Sequence, residues 1–119
     1  MNKVTRQTLK ELIERIDKCK EDLSNVKEDF ESVHNELEEI KDEIESIKDD
    51  EESKYDNMPE SLQDSERGEK MVEGMNILDS AVDSMEELID ELQSAILTIE
   101  EILTNFDDPK EYLQEVIDL

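Results

Sequence analysis

The stretch LKELIERIDKCKEDLSNVKEDFESVHNELEEIKDEIESI, Leu9 to Ile47, decides the fold. Within it Leu9, Leu12, Ile16, Cys19, Leu23, Val26, Phe30, Val33, Leu37, Ile40, Ile44 and Ile47 follow at alternating spacings of three and four residues. With Leu9 at heptad position a, Leu12 is d, and no a or d position through Ile47 is polar. A chain held open by its charge has no cause to keep that register. A helix that buries one stripe against another helix does. No Pro or Gly precedes Pro59. The pattern therefore predicts one helix over about residues 5–55, with Cys19, at a d position, packed as a small apolar residue.

Downstream the periodicity returns. Met71, Met75, Leu78, Val82, Met85, Ile89, Leu92, Ile96, Ile99, Leu103 and Phe106 continue the spacing, with Met71 at d and Met75 at a. The g positions add Ala81, Leu88, Ala95 and Ile102. This stripe is wider than an a/d seam, which implies more than one neighbour and marks that column as a stripe for oligomerisation. A second helix over about residues 66–107 is predicted. Between the two, Pro59 forbids a continuous helix and makes residues 56–65 a turn. Ser61 or Ser65 is placed to cap the helix that follows. Further on, Asp108-Pro109-Lys110-Glu111 reads as a capping box opening a short helix over about residues 109–118.

These elements compose an all-α fold: a long antiparallel two-helix coiled-coil hairpin with a short C-terminal helix, a single domain over residues 1–119, with dimerisation into a bundle expected. The flanking charges allow two pairings. The e column of the first helix is Ile13, Lys20, Lys27, His34, Lys41 and Lys48, and its g column from Asp22 to Asp50 is acidic. In an antiparallel hairpin e meets e, and the second helix offers Asp79, Glu86, Gln93 and Glu100 there. In a parallel homodimer g meets the partner's e, pairing Asp22 with Lys27, Glu36 with Lys41 and Glu43 with Lys48. Exposed pairs of this kind are each worth a few tenths of a kcal/mol, so they choose partners more than they stabilise.

Charge separates the function classes. The chain has 37 Asp and Glu against 13 Lys and Arg, a net charge of −24. Such a chain repels nucleic acid and anionic lipid, and attracts a protein with a basic surface. It carries one Cys and one His, and no His–Cys–Ser–Asp set assembles into a catalytic centre. No enzyme activity, metal or cofactor is expected. Glu31-x-x-His34 has the spacing of a di-iron ligand pair, but Glu31 falls at b, away from the core, and His34 at e reads as an edge residue. The N-terminus has no apolar run of a signal peptide and no apolar stretch is long enough to span a membrane, so a cytoplasmic location is expected.

The distribution of charge is more telling than its sum. From Met71 to Asp108 there is no Lys or Arg. Glu73, Asp79, Asp83, Glu86, Glu87, Asp90, Glu91, Glu100 and Glu101 occur there, and form the expected partner-binding face. Along a rod of roughly 70 Å the net charge amounts to one per ~3 Å, against one per ~1.7 Å for duplex DNA.

The turn carries a motif, Tyr55-Asp-Asn-Met-Pro-Glu-Ser-Leu-Gln-Asp-Ser-Glu-Arg-Gly-Glu69. It resembles a D-N-x-P-E-x-L-Q-x-S-E-R-G stretch that lies between two heptad-rich helices in a group of small acidic proteins of bacteriophages, prophages and Gram-positive bacteria. The matching residues are Asp56, Asn57, Pro59, Glu60, Leu62, Gln63, Ser65, Glu66, Arg67 and Gly68, and the likeness extends over roughly residues 45–100. The resemblance implies a helical hairpin and assigns no activity. The motif itself reads as a turn-and-cap device, with Arg67 pairing nearby acids, or as a recognition tip. A phage setting brings a second resemblance, of character alone, to small acidic phage proteins that imitate DNA and block restriction or other defence enzymes. The function expected is thus a protein-binding inhibitor, a DNA mimic acting in a bacterial host's cytoplasm. The alternative is a structural coiled-coil scaffold that dimerises through the g-column stripe.

Overall fold

A computed structural model describes residues 1–119. It is all helical: α1 (Lys3–Asp56), α2 (Glu60–Gln63), α3 (Glu66–Asn105) and α4 (Asp107–Ile117). α1 starts earlier than the heptads alone suggest because the Asn2 side chain accepts the Thr5 N–H at 2.8 Å, satisfying one of the free donors of the first turn. Contacts divide the chain into two compact units, Met1–Ser32 with Gln93–Leu119, and Val33–Leu92.

The turn-end unit, Val33–Leu92, pairs the second half of α1 with the first half of α3. Lys48 bonds Asp79, and Lys41 lies 4.0 Å from Glu86. Seven residues forward on α1 correspond to seven back on α3, which is the antiparallel e-to-e pairing. Val82 and Ile89 are its buried apolar residues, both at a. The linker winds into the short α2, a turn of helix that the sequence pattern did not suggest. Pro59 (φ −56°, ψ 144°) breaks the path, and its carbonyl then accepts the N–H groups of Leu62 at 2.8 Å and Gln63 at 3.0 Å. The Gln63 side chain donates to the Tyr55 carbonyl at 2.8 Å, tying α2 back to the end of α1. Ser65 is the cap: its Oγ accepts the Gly68 N–H at 3.4 Å and donates to the Leu62 carbonyl. A Cβ on Gly68 would stand 2.0 Å from the Gln63 carbonyl oxygen, so only glycine lets α3 start this close to α2.

The other unit pairs the first half of α1 with the second half of α3 and adds α4. Its ladder follows the same rule: Lys20 with Asp107 at 3.1 Å, Lys27 with Glu100 at 3.1 Å. Ile96 and Ile99 are its buried apolar residues. α4 lies against α1 of the same chain, with Lys110 reaching Asp17 at 2.6 Å. Its start differs from the expected capping box. Helix α4 begins at Asp107 without a side-chain cap, because Phe106 keeps helical geometry (φ −63°, ψ −25°) instead of the extended backbone an N-cap needs.

A correction concerns which face of α1 is covered. The a/d stripe predicts d positions inside, yet of the six from Leu12 to Ile47 only Leu12 and Ile40 are half-buried, while Cys19, Val26, Val33 and Ile47 are exposed. The half-buried columns are a and e, the latter being Ile13, Lys20, Lys27, His34, Lys41 and Lys48. Lysine stems are apolar along four methylenes, so the helix rolls to lay them on its partner while their ammonium groups reach acids at the edge. Cys19 is left exposed by that roll, and His34, read as an edge residue, has its side chain only 17% exposed, with Glu38 3.9 Å away.

Candidate protein-binding surfaces

Two surfaces follow from this packing, an acidic outer face and an apolar flank. The acidic face must be divided. Of the nine acids assigned to it, Asp79, Glu86 and Glu100 sit at e and are held by Lys48, Lys41 and Lys27. They belong to the helix seam, and in this respect the expected face is too broad. The hydrogen bond from each ammonium to its carboxylate raises the affinity of Lys27 and Lys48 for their protons, chiefly through Glu100 and Asp79.

The remaining acids lie at b, c and f, the positions farthest from a and d. In the turn-end unit these are Glu73, Asp83, Glu87, Asp90 and Glu91, and in the other unit Glu101; all are exposed. None takes part in an ion pair. Four of the unit's five cations are engaged elsewhere, Lys41 and Lys48 in the ladder, Lys54 on Glu51 and Lys70 on Glu66, and the fifth, Arg67, is unpaired at the start of α3. The turn-end unit thus turns its lysines inward or sideways and presents bare carboxylates outward.

On the apolar flank, the g column of α3 has Leu88 and Ile102 exposed, with Ala81 and Ala95 half-buried. In an antiparallel pair whose e columns meet on one side, the d column of α1 and the g column of α3 share the other side. The run of lysines at e beside a wide a/d/g stripe on the partner is consistent with such an offset but does not decide it, because apolar d residues compete for the same contact.

The turn motif performs structural work at Pro59, Gln63, Ser65 and Gly68. Arg67 is exposed and enters no ion pair, against the expected pairing, and the neighbouring Glu66 pairs with Lys70. Asp56, Asn57 and Glu60 make no side-chain bond. No group of three or more His, Cys, Asp or Glu is placed to hold a metal ion, and no helix is long and apolar enough to cross a membrane. Comparison with known proteins returns no matching family model, curated sequence or solved structure. The chemistry of these two surfaces is therefore the ground for a functional reading.

Proposed function

We propose that this chain is a non-enzymatic inhibitor that occupies the basic, nucleic-acid-binding surface of another protein, imitating the charge of DNA. The observation that carries the reading is the set of unpaired outward carboxylates Glu73, Asp83, Glu87, Asp90 and Glu91 on a helix segment without a single cation. Solubility requires charge on a thin helical pair but not charge of one sign, and surfaces are ordinarily mixed. Fixing acids on rigid helices, with the lysines withdrawn into the seam, keeps the outer field negative. A basic groove evolved for phosphates meets carboxylates held at regular spacing and releases its own counter-ions. If the phage resemblance holds, the target is a nucleic-acid-binding or defence protein of the bacterial host.

The test uses the full chain immobilised in nuclease-treated bacterial lysate and washed at stepped salt. A nucleic-acid-binding protein should be retained at low salt and released by about 0.5 M, where the screening length is only a few Å. Added to that protein, the chain should displace its DNA. Replacing the five carboxylates by Asn or Gln should abolish capture without loss of helicity, since none of them takes part in an ion pair. Retention indifferent to salt, or undiminished in the neutralised variant, would overturn the reading.

A further inference from the structure

We propose that α4 is a releasable helix, hinged at the break between Phe106 and Pro109 and latched onto α1 by Lys110, which opens while the α1–α3 pair beside it stays folded. This concerns the unit of Met1–Ser32 and Gln93–Leu119 alone and does not depend on the inhibitor reading. The first observation is the break. α3 ends at Asn105 and α4 begins at Asp107, with no side-chain cap at Phe106 to fix the start. Across the junction the Phe106 N–H reaches the Leu103 carbonyl at 3.3 Å, beyond the usual length of such a bond. Pro109 follows, and having no N–H it cannot carry the hydrogen-bond ladder of α3 into α4.

The second observation is shallow docking. No residue of α4 is buried, whereas α3 buries Ile96 and Ile99 in the same unit. Hollows flank the contact with α1: one of about 400 Å³ is shared by Leu113 with Leu12 and Ile16, and one of about 270 Å³ by Gln114 with Ile13. An element with few buried apolar contacts opens locally at a fraction of the cost of global unfolding.

The third observation is what holds the helix. Residues 1–20 have six Lys and Arg against three Asp and Glu, a net-positive stretch in a chain of net charge −24. α4, with four acids and one lysine, lies against that stretch. Its lysine, Lys110, reaches Asp17 at 2.6 Å and Asp107 at 3.4 Å, and Asp107 accepts a further bond from Lys20 at 3.1 Å. The hydrogen bond to Asp17, above all, raises the affinity of Lys110 for its proton. Salt screens attractions of this kind and leaves apolar contact in place. The latch therefore answers to ionic strength, and its opening uncovers Leu12, Ile16 and the positive start of α1.

The test is hydrogen exchange of the full chain, followed amide by amide at about 0.05 M and about 0.5 M salt. Amides from Glu111 to Glu115 should share one protection, at least about tenfold lower than that around Ile96 and Ile99, and salt should lower it further. Lys110→Met keeps the apolar stem and removes the charge. It should raise the opening of α4 about fivefold at low salt and little at high salt, with Ile96 and Ile99 unchanged. Lys70→Met, which breaks the exposed pair with Glu66, should leave α4 as it was. Protection in α4 equal to that of Ile96 and Ile99 would overturn the proposal, because α4 would then open only with the whole unit. Protection that falls gradually toward Ile117 would overturn it as well, by showing a fraying end in place of a hinge. Opening indifferent to both salt and Lys110→Met would remove the latch.

Discussion

In the unit with the termini an 11-residue helix, α4, lies against α1; in the turn-end unit the added helix is the four-residue α2, tied to the end of α1. Both units use the same lysine ladder on one side and leave apolar residues on the other. In the unit with the termini, α4 brings Leu113 to Leu12 and Ile16, and brings Lys110 to the acids Asp17 and Asp107. In the turn-end unit no such helix is present, and the hollow beside Gly74 measures about 750 Å³, against about 400 Å³ for the one that Leu113 lines. Two or three helices in a single layer cover few residues completely, and Val82, Ile89, Ile96 and Ile99, two in each unit, are the buried apolar side chains. The difference teaches that a helix pair of this composition fixes its register along the seam and leaves its packing unsaturated where no long third helix is added.

Substituting the two glycines of the turn-end unit should separate rigidity from openness. Gly68→Ala carries the largest expected effect. Its new methyl would collide with the Gln63 and Leu62 carbonyls, all backbone, so the turn must shift and lose the Ser65 cap. A loss of about 2–4 kcal/mol is expected, of the order seen when a required close approach is blocked. Denaturant melting measures it, and hydrogen exchange should show the loss in residues 55–70 first.

Of the same order are the buried isoleucines. Ile89→Ala and Ile96→Ala, one in each unit, should each cost about 2–4 kcal/mol, while Ile47→Ala, at an exposed d position, should cost under ~0.5 kcal/mol. An equal cost at Ile47 would mean that a covered a/d seam, and not the rolled a/e face, describes α1 in solution. Smaller and opposite in sign is Gly74→Ala. Nothing surrounds that position, so the helix gains about 0.5–1 kcal/mol from the better helix former. A destabilising outcome there would show that the hollow is closed.

Most of the fold was legible because coiled-coil register is a local property. The heptads located α1 and α3, Pro59 located the break, and the short linker favoured the antiparallel hairpin, in which Lys41 meets Glu86 and Lys48 meets Asp79; the e-column charges alone allowed the parallel pairing as well. What escaped was the roll of α1, since apolar d residues and lysine stems compete for the same contact and residue type alone favours the former. The acidic face was legible as composition but not as geometry: Asp79 and Glu86, held in the seam, differ from the free Asp83 and Glu87 only by a heptad letter. The hollow at Gly74 was illegible, because an empty place has no residue to announce it.

The smallest prediction asks whether the ladder and α4 are set by charge, and Asp107 is the place to ask. Hydrogen bonds from Lys20, and then from Lys110, hold its carboxyl below the ordinary value. A depressed carboxylate contributes stability that is present above its unfolded pKa, about 3.9, and is lost as pH falls through the lower folded value. The Asp107→Asn variant should therefore melt slightly below the parent at neutral pH, by an amount that shrinks once the pH drops under about 4 and disappears in stronger acid. The lysines move the other way. Lys48, raised chiefly by its hydrogen bond to Asp79, contributes below its unfolded pKa of about 10.4 and ceases to as pH rises through the higher folded value. Lys48→Met should thus match the parent only in strong alkali. Because both pairs are partly exposed, added salt should shrink both differences. A salt-insensitive, pH-independent difference at Asp107 would mean that α4 is held by Leu113 and its apolar neighbours, and that Lys110 on Asp17 is a consequence of docking and not a cause.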